Sequence, residues 1–132
     1  MDEPKVNRET ATAEIEKWLD AKKISQNKRT SLQDVESELM DAICDGYLEL
    51  DEETMEWKHT LKFPLENVKD LKYAPRVNAG KIEAKTRTIK PDDLQGRIRA
   101  YISVITDQPN GIIAALDTAD HSIASSIASY FF

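Results

Sequence analysis

The residues best suited to acid–base or metal chemistry are two histidines, His59 and His121, one cysteine, Cys44, and 24 carboxylates. The histidines fall on separate elements, and neither belongs to a helical histidine pair or a Cys/His cluster of the kind that zinc needs. A lone cysteine excludes an internal disulfide, and Cys44 sits among apolar residues as a small buried hydrophobe would. Adjacent carboxylates such as Glu52/Glu53 and Asp92/Asp93 point apart on a strand or a helix, so they build no acid–base dyad. A turn and a helix start account for them. The nucleophile elbow and the glycine-rich phosphate loops are absent, and four glycines leave little to build one from. The reading is of a protein that is not an enzyme and uses no metal or cofactor.

The elements around these residues are legible from periodicity. A helix is expected from Asn7 or Thr10 to Lys23, with Ala13, Ile15, Trp18 and Leu19 on its apolar side, after a frayed lead over residues 1–7. Ile24 to Thr30 reads as a turn. Ser31 and Asp34 approximate a capping box for a second helix, whose stripe is Leu32, Val35, Leu39, Ala42 and Ile43 and whose stop is Gly46. The period then changes to two: Tyr47–Leu50 and Met55–Phe63 form a hairpin, with His59 packed on its apolar face beside Trp57 and Leu61. A further extended stretch carries Val68, Leu71 and Tyr73. Residues 76–90 read as a basic loop, or as strands pairing through Ile82–Ile89. Pro91, Asp92 and Asp93 open a helix with Leu94, Ile98, Tyr101, Ile102 and Ile105 on its stripe. A short helical turn follows over Asn110–Leu116. Asp117 or Thr118 caps a last helix bearing Ile123, Ile127, Ala128, Phe131 and Phe132, with His121 exposed in its first turn.

The fold class expected is therefore α+β in a single domain. It has an N-terminal helical extension (1–46), a small, mostly antiparallel sheet region (47–90) and a C-terminal helical cluster (91–132). No apolar run reaches the ~20 residues of a membrane span, and the N-terminus lacks a secretory signal pattern, so a cytoplasmic location is expected.

Charge is unevenly spread within the net −6. Residues 1–56 carry 7 Lys/Arg against 16 Asp/Glu, residues 57–100 carry 11 against 5, and the remainder carry three aspartates and no base. The basic middle is either a docking surface or a solvated face that attracts the chain's own acidic helices. A helix followed by a basic hairpin has a winged-helix layout, which makes a small DNA-binding regulator the alternative reading. The candidate recognition helix, however, carries Asp34, Glu36, Glu38, Asp41 and Asp45 and no base, and such a helix repels phosphate. Nucleic acid is disfavoured.

The C-terminal stretch ends in three aromatics, Tyr130, Phe131 and Phe132, behind a small-residue face, Ala124, Ser125, Ala128 and Ser129. These either pack within the chain or accept a partner helix. The candidate partner-binding residues are Tyr130, Phe131, Phe132, Ala124 and Ala128.

From Tyr101 the chain reads YISVITDQPNGIIAALDTADHSIASSIASYFF: a helix, a proline turn, a short helix ending in LDxAD, and a closing helix with two final aromatics. This resembles the phage tail assembly chaperones, in particular the small family of the Mu-like prophage type and its P2-like relatives. The early part of that family's pattern lies on Leu61, Pro64, Val68, Leu71 and Arg76, and its ending on Leu116, Asp117, Ala119, Asp120, Phe131 and Phe132. The resemblance spans residues 57–132. It implies a non-enzymatic protein that binds the tape measure protein and keeps it soluble during tail assembly, with the tail-tube protein as an open second partner. A structural virion adaptor is a third reading; homo-oligomerisation and a frameshifted longer form stay open.

Overall fold

The computed structural model describes residues 5–132. Helix α1 (Arg8–Ala21) starts at Asn7, whose side chain accepts the Thr10 N–H at 2.8 Å and so satisfies one of the partnerless donors of the first turn. Ala11, Ile15, Trp18 and Leu19 form its buried face; Ala13, expected there, is exposed. The lead is tied down where it is described, for Lys5 and Val6 both donate their N–H to the Cys44 carbonyl.

The polar stretch expected to be a turn contains helix α2 (Gln26–Ser31), capped by Ser25. Helix α3 (Gln33–Cys44) follows after Leu32 alone. This corrects the capping box at Ser31. Ser25 has already started a helical turn, so Ser31 bonds backward, its hydroxyl donating to the Lys28 carbonyl at 2.9 Å. No side chain caps α3, and Asp34 and Glu36 favour its first turn through the helix dipole. The other end of α3 is closed by Gly46, at φ +85°: its N–H donates to the Ile43 carbonyl, and that of Tyr47 to the Ala42 carbonyl.

Strands β1 (Leu48–Asp51), β2 (Glu56–Thr60) and β3 (Asp70–Tyr73) form an antiparallel sheet in that order. Leu50 faces Trp57, which faces Tyr73, and Leu48 faces His59, which faces Leu71. These six side chains are buried, while Glu49, Lys58 and Lys72 occupy the solvated face. The alternation that suggested a strand to Phe63 fails at its end: β2 stops at Thr60 and Phe63 is 56% exposed. The physical reason lies in the site described below.

Residues 76–90 hold neither a strand nor only loop. Asn78 caps helix α4 (Ala79–Thr86) by accepting the Lys81 N–H at 2.9 Å. The scattered lysines that hid the periodicity lie on its solvated side, and half-buried Ile82 and Thr86 face inward. Helix α5 (Leu94–Thr106) is opened by Asp93, which accepts the Gly96 N–H, so Pro91 precedes the cap instead of occupying the first turn. Helices α6 (Asn110–Ala115) and α7 (Thr118–Ala128) complete the C-terminal cluster, with Asp117 capping α7.

The core is one continuous set of apolar contacts between the inner sheet face and helices α1, α3, α5 and α7, centred on Trp18, Trp57, Leu39, Ile43, Ile102 and Ile127. Among the described residues no helix is long and apolar enough to cross a membrane.

The left-handed backbone at Gly46 gives a direct check. Gly46→Ala is expected to lower the free energy of unfolding by about 1–2 kcal/mol in a urea titration. A Cβ there also meets the flexible Lys5 side chain. Trimming that side chain with Lys5→Ala should restore little of the loss, because the strain is in the backbone.

Candidate partner-binding surface

Helix α7 packs against α3 and α5, and its alanines are what lets it come close. Ala124 and Ala128 are buried, and Ser126 on the same helix donates its hydroxyl to the Glu38 carboxylate of α3 at 2.9 Å. Tyr130 is 2% exposed, its ring edge-on to Trp18 at 5.4 Å. Burial, reinforced by the charge of Glu36, pushes its phenol up to about 12. Phe131 lies at the rim of the core beside Trp18, with the Lys22 ammonium 3.4 Å above its ring. That ammonium also donates to the Pro75 carbonyl at 2.9 Å. Burial, with the charges of Arg76 and Lys28, draws Lys22 down to about 8, while the ring and the carbonyl favour its charged form. Phe132 is 54% exposed and meets Tyr101 edge-on at 4.6 Å.

Of the five residues expected to contact a partner, Ala124, Ala128 and Tyr130 therefore lie in the core, Phe131 at its edge and Phe132 on the surface. A partner docking on the closed chain meets Phe132 and the rim of Phe131. Contact with the other three requires the end of α7 to leave its seat.

A second constellation is polar and fully enclosed. His59, on β2, and Asp120, in the first turn of α7, are both 0% exposed. His59 Nε2 lies 3.1 Å from Asp120 Oδ1, and its Nδ1 lies 2.9 Å from the Tyr73 hydroxyl of β3. Asp120 Oδ1 also accepts the Lys62 N–H at 2.8 Å, and Oδ2 accepts the Phe63 N–H at 3.0 Å. With both carboxylate oxygens accepting, the imidazole donates from Nε2 and accepts the tyrosine O–H at Nδ1, which is the neutral tautomer. Burial is the main influence on His59 and holds its pKa below the ordinary histidine value, against the opposing pull of Asp120. Burial likewise raises the Tyr73 phenol well above its usual range.

A tyrosine–histidine–aspartate chain invites a catalytic reading, but a base must reach a substrate proton. All three members are sealed in the core, so the geometry is that of a hydrogen-bonded brace. His59 is the packed histidine its strand position implies. Asp120 stands out in sequence only as the last residue of LDxAD, and nothing local distinguishes it from an ordinary acid in a first helical turn. His121 is half-buried, its Nδ1 3.3 Å from the Ser125 hydroxyl, and burial followed by Arg99 lowers its pKa.

The brace also explains the early end of β2, because the N–H groups of Lys62 and Phe63 turn to Asp120 instead of a neighbouring strand. Two segments 58 residues apart, KFP after the strand and LDTAD at the start of the last helix, become one corner.

An acidic cleft of about 650 Å³ opens beside the hairpin, lined by Glu14, Glu49, Glu52 and Glu53 among others. Burial and then the charges of Glu52 and Glu49 raise the pKa of Glu14. Among the described residues no group of three His, Cys, Asp or Glu side chains is placed to hold a metal ion. Compared with known protein families, with curated proteins and with solved structures, the chain matches none.

Two expectations follow. Asp120→Ala strands two backbone N–H groups and an imidazole in the core, and should cost at least about 3 kcal/mol in urea unfolding. Tyr130→Ala should cost about 3–5 kcal/mol, and Phe132→Ala less than about 1 kcal/mol. A folded-state histidine pKa below the unfolded value means that the unfolded chain binds more protons in acid. Stability should therefore fall as pH drops below about 6.5, and His59→Gln should flatten that part of the profile.

Proposed function

We propose that the chain is a tail assembly chaperone of the Mu-like prophage type, holding the tape measure protein soluble while tail-tube subunits assemble. One observation carries the reading. The two separated parts of the sequence resemblance, the segment beginning Leu61–Pro64 and the LDTAD segment ending at Asp120, are joined by the hydrogen bonds from Lys62 and Phe63 to Asp120. Asp120 is itself one of the matched residues, and its donors are the backbone groups of the two residues between the matched Leu61 and Pro64. The role is non-enzymatic in this reading: the partner is long and helical, and what it needs is shielding through grooves and repeated weak contacts.

The DNA-regulator alternative gains nothing from α3. Its carboxylates Glu36, Asp41 and Asp34 remain at the surface or its margin, and the hairpin tip that would serve as a wing is itself acidic at Asp51, Glu52 and Glu53.

Co-expression with the long, helix-rich protein of the same locus tests the proposal. The long protein should shift from pellet to supernatant and co-purify with this chain. A well-folded chain that leaves it insoluble and unbound would remove the chaperone reading and bring the regulator or virion adaptor forward.

A further inference from the structure

Between α4, the segment that leads into it and the end of α5 lies an open groove of about 850 Å³, a size within the range of ligand-binding clefts. Its apolar lining comes from Val77, Ala84, Val104 and Ile105, and three cations, Arg76, Lys81 and Lys85, stand around it. Among the described residues no carboxylate lies within 4 Å of these three side chains, although Arg8, Lys17 and Arg29 elsewhere do have acidic partners. Among the described residues Asp107 is the one acid in the lining. No residue of α4 is fully buried, so one wall of the groove is a helix held mainly by its contact with α5.

An apolar floor with unpaired cations at its margin fits one kind of occupant. We propose that this groove binds an amphipathic helix of a partner protein, with aliphatic side chains on the floor and flanking carboxylates toward Arg76, Lys81 and Lys85. The mode is helix-in-groove, with anchors at i, i+3, i+4 and i+7. As a site for the client of a chaperone it rests on the function proposed above; as a binding surface it stands on the groove itself.

Two other occupants fit less well. Single-stranded nucleic acid needs aromatic faces on which bases stack, and the groove lining has none. A second copy of this chain offers its acidic hairpin tip at Asp51, Glu52 and Glu53, but that tip brings no aliphatic stripe to cover the half-buried Val77 and Val104.

The test uses a fluorescent peptide of roughly 18 residues, with leucines at helical spacing flanked by glutamates, and a control in which lysines replace the glutamates. Anisotropy should show binding of the acidic peptide that weakens with salt, and little binding of the basic one. The exposed charges can be reversed without touching the core, so Arg76→Glu/Lys81→Glu/Lys85→Glu should fold normally by circular dichroism and bind at least tenfold more weakly. Val104→Asp should lose binding while keeping the cations. Equal binding by the reversed variant, or none by the native chain, overturns the proposal. Tighter capture of an oligonucleotide, or self-association that the reversed variant abolishes, overturns it in favour of the other occupants.

Co-expression with the long partner separates this site from the proposed function. If the reversed variant still solubilises the partner, the groove is not the client site and the chaperone reading survives. If the native chain binds the peptide but solubilises no partner, the groove survives and the chaperone reading falls.

Discussion

A carboxylate taken out of water is stable only if the protein replaces its hydration, and Asp120 has that replacement in full. It accepts two backbone N–H groups and one imidazole N–H, and it sits in the positive first turn of α7. Among the described residues no lysine or arginine side chain pairs with it within 4 Å; Lys62, whose N–H is one of its donors, extends its ammonium instead over the Tyr47 ring. Solvation by oriented dipoles avoids the desolvation cost of a second buried charge. It also makes the site intolerant, since losing any one partner leaves a polar group stranded in a core that water does not reach.

The rest of the molecule is arranged outward from that corner. The strand side is fixed because His59 is held between Asp120 and Tyr73, one on α7 and one on β3. The helix side is fixed because α7 then runs with Ala124 and Ala128 against its neighbours and delivers Tyr130 to Trp18. Trp18 meets Trp57 edge-on at 5.7 Å, which returns the path to the sheet one pleat from His59. Helices α1 and α3, upstream of the stretch that carries the resemblance, are thus part of the same packed core, and Tyr130 and Phe131 help to hold α1 through Trp18.

Much of this was legible in the sequence for identifiable reasons. Helices α3, α5 and α7 have apolar stripes at helical spacing, and the hairpin alternates cleanly, so their type followed from period alone. Helix α4 is hidden in the sequence because only Ile82 and Thr86 face inward, too sparse a stripe among lysines. Helix α2 is hidden because its six residues bury nothing and only the Ser25 cap announces it. The end of β2 could not be read because its cause, Asp120, lies far away in the chain. The aromatic ending is conspicuous in the sequence, but period and composition leave open whether it packs inward or outward. The packed arrangement puts Tyr130 inside and Phe132 outside. The segregation of charge was visible as a count, whereas the groove beside Arg76, Lys81 and Lys85 needed the fold.

Amide hydrogen exchange at Lys62 and Phe63 tests the Asp120 brace most directly. These two N–H groups lie past the last residue of β2 and have a carboxylate as their acceptor, so their protection reports that bond and not the sheet ladder. In the native chain both should exchange as slowly as the central amides of β2. In Asp120→Asn, whose amide offers one acceptor oxygen in place of two, at least one should exchange much faster while β2 itself stays protected. Exchange of both at the rate of an open loop in the native chain would contradict the brace, and with it the structural link between the two parts of the resemblance.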